Sequence, residues 1–454
     1  MITTTNPATG EKLSDYNEMT LKEANGIVDS VHETFTSWRT TSFDERSELM
    51  HNVADILEKR TKELAELMTN EMGKLKREAV SEVEKCVLLC RYYADYAEEF
   101  LEDEHINTDL SKSFVTYQPI GVVLAVMPWN FPFWQAFRYA APTLMAGNTC
   151  VLKHASNVSG CSDAIEKIFF DAGFPENAFR SIYMAGKKVG DVIENKNIRA
   201  VTLTGSEQAG RAVAEKAGSL VKKSVLELGG SDPYIILADA DIKKAAKICV
   251  QGRLLNAGQT CIAAKRFIVV KEVYDEFLEA FKTEMENITM GDPTKDATGI
   301  SCMSSTELRD DLHDQVKKSI KAGAKCILGG EIPDKDGAWY PPSILVDIPK
   351  KSPAYEDELF GPVASIFKVS DEDEAIALAN DTSFGLGGAI FTADIDKAMD
   401  IARTKIDTGN MAINGFVKSN PHLPFGGTKN SGYGRELSYH GIHEFVNAKT
   451  VTME

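Results

Sequence analysis

Gly121-Val122-Val123-Leu124-Ala125-Val126-Met127, closed by Pro128, is an unbroken apolar run. A run this short, bounded by a turn residue, reads as a strand buried on both faces, as parallel sheets require. The same rhythm returns at Thr149-Cys150-Val151-Leu152-Lys153, at Arg199-Ala200-Val201-Thr202-Leu203-Thr204 and at Ser224-Val225-Leu226-Glu227, with helical segments between. Strands alternating with helices predict a doubly wound α/β fold whose ligands sit at the carboxyl ends of the strands. Lys153, Gly205 and Glu227 lie at those ends.

Upstream, apolar positions from Leu21 to Phe100 recur every three or four residues, which predicts covering helices. Tyr92, Tyr93 and Tyr96 fall in that pattern and read as core. Between helix and sheet, Ile106 to Gln118 carries turn residues and the alternating Ser113-Phe114-Val115-Thr116-Tyr117, an edge strand that invites pairing with another subunit. A second alternating segment, Phe445 to Val451, is a candidate partner for such a hairpin in a neighbouring chain. After Gly229 a second α/β pattern begins, with strands at Arg266–Val270 and Gly387–Phe391 and a helix from Val273 to Glu284.

No G-x-G-x-x-G occurs in the first sheet. Instead Leu203-Thr204-Gly205-Ser206 follows a strand and opens a helix from Glu207 to Ala217. Such a turn offers free N–H groups and a positive helix end to a pyrophosphate, although it is also an ordinary N-cap.

With 454 residues the chain exceeds what one core usually serves, so two or three domains are expected. Lys plus Arg number 50 against 67 Asp plus Glu, a formal charge of -17. That balance argues against nucleic acid and anionic membrane surfaces, and an anionic substrate needs a local cationic pocket. The segment Met1 to Pro7 has neither a basic nor an apolar leader region and no run approaches a membrane span, so the cytoplasm is the expected location. Eight cysteines without C-x-x-C spacing predict reduced thiols, and no H-E-x-x-H or Cys/His cluster suggests a metal.

Three stretches carry chemistry. Asn256-Ala257-Gly258-Gln259-Thr260-Cys261 precedes the basic pair Lys265-Arg266, which favours a thiolate at Cys261. A cysteine is more often a small buried hydrophobe, so the neighbours must decide its role. Glu227, in Leu226-Glu227-Leu228-Gly229-Gly230, is a carboxylate in apolar surroundings that raise its pKa toward the range of a general base. Asn130, between Pro128 and Pro132, presents an amide suited to an oxyanion.

Together with Glu358-Leu359-Phe360-Gly361-Pro362, these motifs resemble the aldehyde dehydrogenase superfamily in identity, order and spacing, and the resemblance extends over nearly the whole chain to Ser431-Gly432-Tyr433-Gly434-Arg435-Glu436. It implies a cofactor domain at 1–105 and 119–227, a catalytic domain at 228–425, and a bridging element at 106–118 and 426–454 that assembles a homodimer or homotetramer. It implies that Cys261 attacks the aldehyde, that Asn130 and the Cys261 N–H hold the oxyanion, and that Glu227 activates the hydrolytic water. Gly205 and Ser206 match the cofactor turn, Glu358 the ribose contact and Phe360 the nicotinamide contact, while Trp129 and Lys153 line the cofactor channel. Where the family often reads K-P-A-E, this chain has Lys153-His154-Ala155-Ser156. Serine removes a carboxylate that would repel a 2'-phosphate, so Ser156 admits NADP as well as NAD.

Among branches, the chain looks most like succinate-semialdehyde dehydrogenases. Arg138 matches the arginine for the distal carboxylate, and Ser419 a second contact. A further arginine of that branch is replaced by Leu255, leaving Arg253, two positions earlier, as the candidate substitute. Other readings are a dehydrogenase for another small aldehyde, a CoA-acylating relative, against which Glu227 argues, and a catalytically silent cofactor-binding relative.

Overall fold

The computed structural model describes residues 1–454. Its first sheet has six strands in the order Gly432–Tyr433, Lys223–Glu227, Ile198–Thr204, Val122–Met127, Thr149–His154, Phe179–Ser181. All pairs are parallel except the short first strand, which is antiparallel to Lys223–Glu227. The period of two sends Val123 and Ala125 into one core and Val122 and Leu124 into another on the opposite face. Burial of each of these valine and leucine side chains stabilises the fold by about 1.5–3 kcal/mol. Register places Met127 beside His154 and Thr204 beside Glu227. The chain runs outward from Val122–Met127 to Phe179–Ser181 and returns at Ile198–Thr204, which puts the switch point between those two central strands.

Three helices, Leu21–Trp38, Phe43–Met72 and Lys76–Phe100, precede the sheet. The first two start with capping boxes, Thr20 with Glu23 and Ser42 with Glu45. In the third, Tyr92 and Tyr93 are core as predicted, whereas Tyr96 is exposed. Residues 78, 81, 82 and 85 share one face of this helix by the i, i+3, i+4, i+7 rule. That charged face turns inward onto a cavity, while Leu88 is left 51% exposed. Glu82 accepts from the N–H groups of Phe133 (2.9 Å) and Trp134 (3.0 Å) and pairs with the buried ammonium of Lys74. It thereby caps the helix Pro132–Met145 and fixes its angle over the sheet.

A second sheet runs Lys325–Leu328, Ser343–Val346, Val363–Val369, Ala264–Val270, Asp232–Ile236, Gly387–Phe391, Asn410–Ile413. It is parallel except at its first pair. In the third sheet Lys112–Pro119 pairs antiparallel with Val446–Met453 of the same chain. Eight consecutive positions pair, and the outer edge of Val446–Met453 stays open. Residues 432–433, placed by sequence in the bridging element, instead extend the first sheet. No helix is long and apolar enough to cross a membrane.

Candidate active site

The loop bearing Cys261 is held under strain. Asn256 and Ala257 both adopt left-handed backbone, at φ 56° and 54°, followed by Gly258 at 75°. For Ala257 this is an outlier of the kind that persists only where its surroundings overdetermine it. They do. The Asn256 N–H donates to Glu78 (3.2 Å), Ser304 N–H to the Gln259 side-chain oxygen (2.9 Å), and Thr260 hydroxyl to Leu255 carbonyl (3.2 Å). A Cβ on Gly258 would come to 2.3 Å from the Gly361 carbonyl oxygen, so only glycine fits.

Arg253 completes this frame. It is fully buried and donates to the Gly258 carbonyl at 2.6 Å. It is not among the residues that line the cavity in front of Cys261. The helix Ile242–Leu254 directs position 253 under the loop, a direction that linear distance from the cysteine does not reveal.

Cys261 opens onto a cavity of about 550 Å³ walled by Phe131, Trp134, Phe416 and Phe425, with Arg138, Lys85 and Ser419 as polar lining. Burial pushes its thiol up to about 12, against the pull of Arg138 and Lys265. The basic pair therefore does not create a resting thiolate. Lys265 donates instead to the carbonyls of Thr260 (3.0 Å) and Cys261 (2.6 Å), and the Arg266 guanidinium faces the carbonyls of Ser231, Leu378 and Ala379.

Asn130 is buried and tied to the same loop, its amide donating to the Gln259 carbonyl (3.1 Å) and its own carbonyl accepting from Asn256 (2.8 Å). One amide hydrogen remains for another acceptor, and the Cys261 N–H has no partner among the backbone hydrogen bonds. Glu227 is 2% exposed, and neither carboxylate oxygen has a hydrogen-bond partner. Burial, and next the charge of Glu436, push its carboxyl well above the usual range, against Arg138 and Arg435. Its charge is felt at the Cys261 thiol. Asn130 and Glu227 are not among the residues that line this cavity.

Arg138 lines the cavity, is 2% exposed and forms an ion pair with Glu436 while stacking 4.7 Å over Phe425. Its charge is thus partly compensated inside the protein. Glu436 lies in a motif quoted from the sequence, but its partner 298 positions away was not legible there.

On the opposite side, Trp129 and Phe360 meet edge to face with centroids 5.8 Å apart. Glu358 accepts from the Gly230 N–H (3.2 Å) and pairs with Lys265 (3.0 Å). Lys265 thereby links Glu358 to the carbonyl of the nucleophile, a connection that sequence reasoning missed. A Cβ on Gly229 would fall 2.3 Å from Glu358, which explains the glycine.

Gly205 departs from expectation in one respect: its N–H donates to the Glu227 carbonyl (3.0 Å) and is not free for a phosphate. Ser206 is the N-cap of the helix Glu207–Ser219, accepting from Ala209, so the open donors are those of the following first turn. Lys153 is 7% exposed, and burial alone lowers its pKa. A buried ammonium without a counter-charge beside half-buried Ser156 fits an anionic cofactor group.

Comparison with known proteins comes to the same place. Residues 1–451 match the aldehyde dehydrogenase family. A Synechocystis sp. protein named probable NADP(+) succinate-semialdehyde dehydrogenase is 50% identical over 450 residues, 99% of each chain. The NADP(+) succinate-semialdehyde dehydrogenase of Mycobacterium leprae is 45% identical, also over 99% of each. Among solved structures, succinic semialdehyde dehydrogenase from Streptococcus pyogenes, in complex with NADP+, superposes with a TM-score of 0.97 at 40% identity over the full length of both chains.

Proposed function

The chain belongs to the aldehyde dehydrogenase family, and from that premise we propose that it oxidises succinate semialdehyde to succinate with NADP+. The observation that carries the reading is the cavity in which Cys261 faces an apolar wall and a cationic end formed by Arg138 and Lys85. Relatives at 45–50% identity bear that activity in their names.

The Cys261 sulfur bonds to the aldehyde carbon as its proton leaves, and the carbonyl oxygen becomes an oxyanion received by the Asn130 amide and the Cys261 N–H. NADP+, when bound, would supply the hydride acceptor, and loss of hydride from the adduct carbon would leave Cys261 as a thioester. Glu227, with unpaired oxygens and a raised pKa, takes a proton from water as the water oxygen attacks the thioester carbon. The C–S bond breaks, the carboxylic acid departs and the Cys261 thiol is restored. The strained loop keeps the sulfur in place through both halves of the reaction.

Lys153 and Ser156 would receive the 2'-phosphate, the helix end after Ser206 the pyrophosphate, Glu358 the nicotinamide ribose and Phe360 the ring, with Trp129 lining the cofactor channel. The exposed Ile106 and Met453, 50% and 57% exposed on the three-stranded sheet, support a homo-oligomer, which light scattering measures. The main test is a steady-state panel of succinate semialdehyde, butyraldehyde and other small aldehydes against NADP and NAD, with Cys261→Ala as control. Turnover that persists in Cys261→Ala, or that requires CoA, refutes the proposed chemistry.

A further inference from the structure

Lys85 has no place in the chemistry above, yet it projects into the cavity that Cys261 opens onto. It sits on the inward face of Lys76–Phe100, its Nζ donates to the Ser419 hydroxyl at 2.6 Å, and it lies 4.1 Å over the Trp134 ring. Three other buried cations nearby have carboxylate partners, Lys74 with Glu82, Arg138 with Glu436 and Lys265 with Glu358, while Arg253 and Arg266 donate to backbone carbonyls. Lys85 has only a hydroxyl and an aromatic face. A half-buried ammonium without a counter-ion, in a protein whose net charge is -17, is an incomplete ion pair. The branch's second arginine is absent, with Leu255 at its position, and Arg253 faces away.

Resting on the semialdehyde reading, we propose that Lys85 is the principal receptor for the distal carboxylate of the substrate, with Ser419 as its co-donor and Arg138 as the secondary cation. The carboxylate replaces the hydroxyl as the main partner of Nζ, and the Trp134 face holds the side chain in place when the cavity is empty. Because Arg138 is already paired with Glu436, Lys85 discriminates between aldehydes with and without a terminal carboxylate.

Burial, and next the charges of Arg138 and Lys418, push the Lys85 pKa down to about 8, against Cys86 and Glu82, which pull the other way. Arg77 and Glu78 line the same cavity. The ammonium is therefore present below about pH 8 and is lost above it. A carboxylated substrate loses its receptor on that titration, and a neutral aldehyde does not.

The experiment compares kcat/KM for succinate semialdehyde and butyraldehyde in the full-length wild type, Lys85→Met and Lys85→Arg, from pH 6.5 to about 9.5, a span set by the titration range of lysine in folded proteins. Loss of one charge-assisted contact predicts a fall on the order of 10- to 100-fold for the semialdehyde in Lys85→Met, carried by KM, with butyraldehyde changed by less than about threefold. In wild type the ratio of the two kcat/KM values declines as pH rises through about 8, and in Lys85→Arg it stays flat, because arginine does not titrate there. Titrations of Cys261 and Glu227 cancel in that ratio. Equal losses for both aldehydes in Lys85→Met, or a wild-type ratio flat across this range, overturn the assignment of Lys85 while leaving the semialdehyde reading intact. A wild type that does not prefer the semialdehyde at all overturns both.

Discussion

Replacing Glu227 by Gln separates what this carboxylate does for catalysis from what it does to stability, and the two effects have opposite signs. In the folded chain its carboxyl is raised well above the ordinary value by burial and by Glu436. An acid whose folded pKa exceeds its unfolded one favours the fold fully below the unfolded pKa, and that contribution is lost as pH rises toward the folded pKa. Each unit of elevation is worth about 1.4 kcal/mol against the native state once pH has passed both values. Glutamine fills nearly the same volume and does not titrate. No hydrogen bond to Glu227 is lost with it, since neither oxygen has a partner. The urea midpoint of Glu227→Gln should therefore match wild type at about pH 4, the usual carboxylate pKa, and exceed it increasingly toward about pH 8. In the same protein, water activation fails. Removal of a general base lowers kcat by about 10²–10⁴, and because hydride transfer precedes hydrolysis, stopped-flow absorbance should show one NADPH per site in a burst followed by slow turnover. A variant that is less stable than wild type at pH 8, or that turns over within threefold of it without a burst, refutes the placement of Glu227 as an unpaired buried base.

Three further outcomes follow from contacts around the cysteine. Arg253→Met leaves the Gly258 carbonyl without its donor and should lower unfolding stability by about 1–3 kcal/mol, while KM for succinate semialdehyde stays near wild type; a selective rise in KM instead returns Arg253 to the substrate. Lys265→Met frees both Glu358 and the Cys261 carbonyl, so kcat should fall and KM for NADP+ rise together, each on the order of tenfold, with Lys265→Arg recovering part of both; intact cofactor affinity by fluorescence titration contradicts the link. Ser156→Glu brings a carboxylate toward the position assigned to the 2'-phosphate and should raise KM for NADP+ by tenfold or more while NAD is little affected, as read in paired steady-state assays; equal KM changes for both cofactors contradict that position.

The central sheet was legible because its strands are contiguous apolar runs whose burial on both faces is written into every residue. Cys261, Glu227 and Asn130 were legible for a related reason: each stands in a short local motif. The strands at 325–328, 343–346 and 363–369 were passed over, since glycine and proline loops interrupt their neighbourhood without a clear alternation. Lys85 and Glu78 were passed over because a charged helix face ordinarily meets water, and nothing in the helix itself says that Trp134 and Ser419 lie across from it.

Sequence alone determined the alternation of strands and helices in the first sheet and pointed to a candidate nucleophile and a carboxylate in apolar surroundings, all properties of residues within a few positions of one another. Tertiary structure alone decided which cations are neutralised, which way Arg253 and Arg266 turn, and that the C-terminal strand returns to its own chain. Those outcomes depend on through-space distance between segments hundreds of residues apart, and Coulomb and packing energies depend on that distance, with no regard to separation along the chain.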